Sequence, residues 1–304
     1  MKLYFAPMEG ITTYVYRKVH NEVFGGCDAY YSPFITPSDN ERLSRKGLKD
    51  IHPELNGGIR LIPQVLVNRS ETFLKFEKKL KELGYSEVNI NMGCPAQTVV
   101  KKNRGSAMLK NLEDTGKFLD EIFAESEIKI SVKSRIGYSE ENSEEIINLF
   151  NRYPFERIII HPRIRSEFYK GKADLEAFSL IYGKNTGSLC YNGDVYNTED
   201  YKAVTEKFSG ICGVMIGRGA VKNPAIFREI KGGDLLKREE LIHFTKRLSE
   251  EYMQALLSDT FTLHKLKEVW EYLALNFPDN KRLPKAIKKA ATLSDLVAAV
   301  TAEL

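Results

Sequence analysis

Val88-Asn89-Ile90-Asn91-Met92-Gly93-Cys94-Pro95 is the stretch on which the reading of this chain depends, continuing into Ala96-Gln97-Thr98-Val99-Val100-Lys101-Lys102-Asn103-Arg104-Gly105-Ser106-Ala107. Val88, Ile90 and Met92 alternate as in a short buried strand. Gly93 and Pro95 then break the chain, so Cys94 stands where a strand runs out into a loop. A thiol held there can face a pocket. Equally, a free cysteine packs as a small hydrophobe, and the segment alone does not choose between the two.

Working outward, further short apolar runs at 3–6, 29–32, 62–67, 129–133, 157–161, 189–191 and 213–216 bring the strands to eight. Helical patterns near 13–23, 71–83, 112–124, 142–151, 175–181 and 198–208 alternate with them. The helix over 71–83 ends at Gly84, as a C-terminal glycine should. Regular alternation implies parallel strands joined by crossovers. Eight units in about 220 residues suit a closed (β/α)8 TIM barrel better than an open doubly wound sheet. The first strand is followed by no GxGxxG, which an open dinucleotide-binding sheet would carry. The weakly patterned stretch 33–59 reads as a loop excursion over one barrel face. From about Asp234 only helices follow, over 238–258, 261–276, 284–290 and 293–302, with a break at Phe277-Pro278-Asp279-Asn280. A barrel over 1–233 and a small all-helical C-terminal domain over 234–304 are therefore expected.

The 304 residues are 42% hydrophobic and 28% charged, with a formal net charge of +4. That balance permits a polyanionic partner without demanding one. Cys27, Cys94, Cys190 and Cys212 are widely spaced with no CxxC pair, which argues against a zinc site and a disulfide framework. No run approaches the roughly 18 apolar residues of a membrane span, and the N-terminal apolar run is too short for a signal peptide. The expectations are no metal, no membrane, a cytoplasmic location and a monomeric chain.

Barrel chemistry sits at the C-terminal ends of the strands, and the distinctive residues fall there. Pro7, Met8 and Glu9 follow the first strand, Gln64 lies within the third, and Cys94 follows the fourth. Lys133 and Arg135 end the fifth strand, and His161 and Arg163 end the sixth. Asn192-Gly193-Asp194 and Gly217-Arg218-Gly219 follow the last two, where barrels commonly place a phosphate. Backbone N–H groups and Arg218 suit an anion at that corner. With the amide, cation and imidazole of Gln64, Lys133 and His161, the set suits a polar heterocycle with a phosphate tail. Flavin mononucleotide and a sugar phosphate both satisfy it.

These residues carry a resemblance to the tRNA-dihydrouridine synthases. The matching segments are Ala6-Pro7-Met8-Glu9-Gly10-Ile11-Thr12, Pro63-Gln64-Val65, Asn91-Met92-Gly93-Cys94-Pro95 and Gly105-Ser106-Ala107. They continue through Ser131-Val132-Lys133-Ser134-Arg135-Ile136-Gly137, His161-Pro162-Arg163, Tyr169-Lys170-Gly171, Asn192-Gly193-Asp194 and Met215-Ile216-Gly217-Arg218-Gly219-Ala220. The resemblance spans the whole barrel, and its Asn-x-Gly-Cys-Pro element is the most specific. It implies an FMN-binding catalytic barrel, a tRNA-binding helical domain, and reduction of uridines in tRNA to 5,6-dihydrouridine with NAD(P)H. Pro7, Met8, Glu9, Gln64, Lys133, His161, Asn192, Gly193, Asp194, Gly217 and Arg218 would line the flavin. Cys94 would protonate C5 of the uracil after hydride reaches C6.

Asn91, Lys101, Lys102, Arg104, Arg135, Arg163, Lys265, Lys267, Arg282 and Lys285 are the candidate tRNA contacts, several of them in basic runs of the kind that bind phosphate. The chain departs from the family pattern at Ser32-Pro33, where Glu often follows Ser or Thr, and at His161-Pro162-Arg163-Ile164, which replaces His-Gly-Arg-Thr. Two rival readings share parts of this set. One is an FMN-dependent reductase of a small pyrimidine or enoate; the other is a non-catalytic tRNA-binding protein.

Overall fold

Every strand sorts its side chains by alternation into two faces in the structure, a computed structural model that describes residues 1–37 and 44–304. Leu3, Phe5, Val88, Ile90, Val132, Ile158, Ile160, Val214 and Ile216 face outward, in one large apolar cluster shared with the helices. Tyr4, Ala6, Tyr31, Ile62, Ile159, Cys190 and Met215 form a smaller cluster inside the barrel. On the strand that leads to Cys94, then, the apolar residues that mark it in the sequence face the helices. The intervening Asn89 and Asn91 face the interior.

The strands are β1 (Lys2–Phe5), β2 (Ala29–Tyr31), β3 (Leu61–Ile62), β4 (Gln64–Val65), β5 (Glu87–Met92), β6 (Lys129–Arg135), β7 (Arg157–His161), β8 (Leu189–Tyr191) and β9 (Gly213–Ile216). All pairings are parallel, in the order β3-β2-β1-β9-β8-β7-β6-β5-β4. The barrel expectation holds, with one difference: the third strand is two pieces. Pro63 has no N–H to continue the ladder, although its carbonyl still accepts from Asn89 N (2.9 Å). β3 pairs with β2 and β4 pairs with β5, so the ring closes through the proline.

Around the barrel run α1 (Tyr14–Val23), α2 (Arg45–Ile51), α3 (Ser70–Glu82), α4 (Gln97–Val100), α5 (Leu112–Glu125), α6 (Ser143–Phe150), α7 (Leu175–Lys184), α8 (Thr198–Lys207), α9 (Arg218–Lys222) and α10 (Ile226–Ile230). Their ends follow local chemistry. Asn111, Asp174 and Asn197 cap α5, α7 and α8 through side-chain oxygens. Gly84 closes α3 at φ +83°. The stretch 33–59 is more than a loop: it contains α2 and a 3-10 turn at Pro53–Asn56, while its residues 38–43 lie outside the described residues. Arg17 of α1 anchors it, donating to the Asp50 carbonyl and to Asn56 Oδ1 (2.8 Å).

After α10 come α11 (Arg238–Leu256), α12 (Asp259–Leu273), α13 (Arg282–Lys289) and α14 (Leu293–Glu303). Phe244 of α11 packs edge-on against Tyr16 and Phe24, with ring centroids 5.6 and 5.2 Å apart. The outer apolar cluster runs on without a break into Leu248, Leu266, Trp270, Leu283 and Leu296. Among the described residues no helix is long and apolar enough to cross a membrane.

The N-terminal end of the barrel is plugged by charge. Arg157 donates to Glu87 Oε1 (2.7 Å) and Tyr31 Oη (2.8 Å), and its guanidinium lies 4.8 Å over the Tyr4 ring. Removing one partner of a buried pair strands the other charge, typically at a cost of about 3–5 kcal/mol. Glu87→Ala is expected to lose stability of that order in urea denaturation. Arg60→Ala, which removes a largely exposed partner of Glu87 at 3.4 Å, should stay within about 1 kcal/mol. Equal losses would show that the buried pair has no special weight.

Candidate active site

At the C-terminal ends of the strands opens a cavity of about 480 Å³, within the range of small-molecule sites. One side is largely apolar: Ala6, Pro7, Met8, Ile11, Pro33 and Phe34. The other is polar and cationic, with Gln64, Asn91, Lys133, Arg135, His161, Asn192 and Arg218. Glu9, Gly93, Cys94, Tyr169, Gly193, Gly217 and Tyr272 complete the lining.

Cys94 is held from several directions. Asn91 Oδ1 accepts from the backbone N–H groups of Gly93 (3.0 Å) and Cys94 (2.9 Å), while Arg135 Nε donates to the Gly93 carbonyl (2.9 Å). The Cys94 carbonyl accepts from Ser106 N (3.1 Å) and Ser106 Oγ (2.9 Å). Gly105 makes that closure possible: at φ +60°, an added Cβ would lie 2.9 Å from the Cys94 carbonyl oxygen. The Gly105-Ser106-Ala107 match is thus explained by packing against the cysteine loop. Burial pushes the Cys94 thiol up, opposed by the Ala96 N–H, Arg135 and Lys133. It is a neutral S–H at pH 7, a proton donor facing the cavity.

Behind the loop, a ladder of amides crosses three strands. Asn91 Nδ2 donates to Gln64 Oε1 (2.8 Å), Gln64 Nε2 to Asn89 Oδ1 (2.8 Å), and Asn89 Nδ2 to Ser131 Oγ (3.0 Å). Gln64 keeps one N–H and one lone pair for a ligand. His161 Nε2 faces Arg163 Nη1 at 2.9 Å. A guanidinium only donates, so this nitrogen is unprotonated and Nδ1 carries the hydrogen. Burial, then the cations Lys133, Arg135, Arg163 and Arg218, hold His161 well below the usual histidine range. It serves as a neutral donor.

Arg163 and Asp194 need correction. Arg163 is 1% exposed, with its donors engaged by His161, the carbonyls of Lys170 and Gly171, and Asp194. It buttresses the wall and reaches no surface where RNA could meet it. Asp194, expected in the lining, lies behind it, accepting from Arg163, Arg218 (2.8 Å) and Ala173 N (2.9 Å). At the expected phosphate corner, Gly219 is dictated by packing, since its Cβ would meet the Val195 carbonyl oxygen at 1.9 Å.

The remaining basic residues divide. Lys101, Lys102, Arg282 and Lys285 are exposed, and Arg104 is partly buried against Asn68 (3.3 Å). Arg135 is buried, bonded to the Ile164 and Phe168 carbonyls as well as Gly93. Lys267 is half-buried, its Nζ donating to the Lys288 (3.0 Å) and Ala290 (2.7 Å) carbonyls at the C-terminal end of α13. Lys265 Nζ donates to the Gly10 carbonyl (3.1 Å), joining α12 to the first cavity loop. Tyr169, Phe34 and Tyr272 were not singled out for the cavity from sequence. Tyr169 sat in a matching segment; the other two carry no local signal.

Lys133 has no ion-pair or hydrogen-bond partner among the described residues. Burial, with Arg135 adding to it, lowers its pKa to about 8 from 10.5. The unfolded chain therefore binds the extra proton between these values, and stability rises with pH across that window. Lys133→Met is expected to stabilise the ligand-free protein by about 2 kcal/mol at pH 7, less than the full shift implies because the ammonium borders the cavity. The gain should shrink toward pH 10.5. Urea denaturation at pH 7 and 10 checks this, and a destabilised variant would show that the ammonium is compensated.

Comparison with known proteins shows the family. The family model described as "Dihydrouridine synthase (Dus)" matches residues 4–302. The tRNA-dihydrouridine synthase B of Escherichia coli K12 is 30% identical over 236 residues, covering 76% of this chain and 71% of the relative. That of Pseudomonas syringae pv. tomato is 28% identical over 235 residues, covering 75% and 67%. Among solved structures, morphinone reductase superposes with a TM-score of 0.54 at 12% identity, over 78% of this chain and 87% of that one; this is a likeness of fold. The cysteine loop, the polar wall and the match along nearly the whole sequence lead to one conclusion: the chain belongs to the dihydrouridine synthase family.

Proposed function

We propose that the protein reduces uridines in tRNA to 5,6-dihydrouridine, with FMN in the cavity, NAD(P)H as reductant and Cys94 as general acid. The observation that carries this reading is Cys94: its neutral thiol belongs to a residue that lines the cavity, on a backbone loop held by Asn91, Arg135 and Ser106. The residues fit an FMN. Among the described residues Lys133 has no counter-charge, His161 and Gln64 offer donors, and Arg218 is there for a phosphate. Pro7, Met8, Glu9, Asn192, Gly193 and Gly217 complete the lining.

When bound, the flavin supplies the hydride that adds to C6 of the uracil. Lys133 would offset the negative charge that reduction places on the cofactor. Cys94 passes its proton to C5, forming the C–H bond as the S–H bond breaks, and the thiolate then takes a proton from solvent. Asn91 and Arg135 keep the cysteine loop in place while this happens. A uridine must leave its stack to enter, at a cost of a few kcal/mol. Lys101, Lys102, Arg104, Arg282 and Lys285 lie outside the cavity, where they would meet phosphates, and residues 234–304 would form the docking unit.

The test is anaerobic. Purified protein should be yellow, bleach with NADPH, and recover its colour faster with unmodified tRNA than with tRNA already carrying dihydrouridine. Colour indifferent to tRNA would favour a small-molecule reductase. Cys94→Ala should keep its flavin while turnover on tRNA falls by about 10²–10⁴-fold. Turnover at the wild-type rate would remove Cys94 from the acid role.

A further inference from the structure

One wall of the cavity comes from outside the barrel. Tyr272 lies on α12, yet it lines the cavity. Two turns earlier on the same helix face, Lys265 grips the Gly10 carbonyl (3.1 Å). Just beyond the helix end, Asn276 Nδ2 donates to the Leu273 carbonyl (3.0 Å) and to the carbonyl of Lys222. Lys222 is the last residue of α9, the helix that begins at Arg218. The helix that carries Tyr272 is therefore bonded directly to the loop after β1 and to the end of α9.

Arg218 is itself tightly framed. Its Nη2 pairs with Asp194 Oδ1 (2.8 Å), and its Nη1 donates to the Tyr169 carbonyl (3.3 Å). The guanidinium lies 5.3 Å from the Tyr169 ring centre and 5.8 Å from that of Tyr196, within cation–π range. Tyr272 lines the same cavity as Arg218 and Tyr169. Burial, then Tyr169, raise its phenol, with Arg218 opposing, so it is a neutral O–H. Among the described residues nothing hydrogen-bonds that hydroxyl. Tyr272 and Arg218 line the same cavity, and the helices that carry them are joined by the Asn276–Lys222 bond; an O–H donor and a guanidinium form a combination suited to an oxyanion.

We infer that Tyr272 is a cofactor-binding residue supplied by the C-terminal helices: together with Arg218, its O–H receives the phosphate tail of the molecule that fills the cavity. This rests on the reading of that molecule as FMN. It means that the C-terminal unit completes the cofactor site as well as facing RNA.

FMN and riboflavin differ only by the phosphate, so the pair isolates the contact. Full-length protein freed of flavin is titrated with each, following flavin fluorescence, for wild type, Tyr272→Phe and Arg218→Met. A hydrogen bond to a charged group is worth about 1.5–3 kcal/mol, or roughly tenfold or more in affinity. Tyr272→Phe should weaken FMN binding by about that factor and leave riboflavin within twofold, with Arg218→Met showing the same selectivity. Unchanged FMN affinity, or equal weakening of both flavins, would overturn the inference, the second by showing that Tyr272 only shapes the wall. Wild-type protein that binds neither flavin would instead overturn the FMN reading beneath it.

Discussion

The carboxamide of Asn91 joins the two halves of the site. Its nitrogen ends the amide ladder through Gln64, and its oxygen receives the N–H groups of Gly93 and Cys94. A loop of this kind would ordinarily sample several conformations, because its backbone groups can turn to water. Here they are satisfied from within the barrel, so the cysteine is as well placed as the strands behind it. Replacing either end of that carboxamide with an apolar group would leave buried donors unmet. Second in weight is Arg135, which holds the Gly93 carbonyl and reaches across to the β7–α7 loop.

Charge is distributed unevenly around this framework. Lys133, Arg135, Arg163 and Arg218 converge on His161 in the cavity wall, and Asp194 pairs with Arg163 and Arg218. The site is thus preorganised for an electron-rich ligand: its cations are in place before the ligand arrives, and no reorganisation is needed to bring them there. His161 stays neutral in that field and acts as a donor.

The barrel was legible in the sequence because alternation survives in short strands and their helices are capped by ordinary chemistry. Pro63 hid the division of the third strand, since an apolar run reads through a proline unless the missing N–H is counted. α2, α4, α9 and α10 span seven residues or fewer, too few for a helical period to emerge. Cys94 and Lys133 were legible by position at strand ends. Their supports were not: Gln64, Asn89 and Ser131 meet across gaps of 25 and 42 residues. The burial of Arg163 is hidden because sequence shows charge but not the carbonyls that surround it. Tyr272 lies far along the chain from every strand end it serves.

The joint at Pro63 gives the cavity a stiff side and a pliant one. β3 and β4, the shortest strands of the ring, offer two residues each to their neighbours, while β5 and β6 are six and seven residues long. Short ladders open locally at lower free energy than long ones. Phe34 lies beside this seam, because the neighbouring Ile35 is bridged to Val65. Lys133, His161 and Cys94 are carried by the longer strands or pinned to them. The shortest ladders of the ring thus border the apolar wall, and Gln64 on β4 ties this seam to the cysteine loop through Asn91.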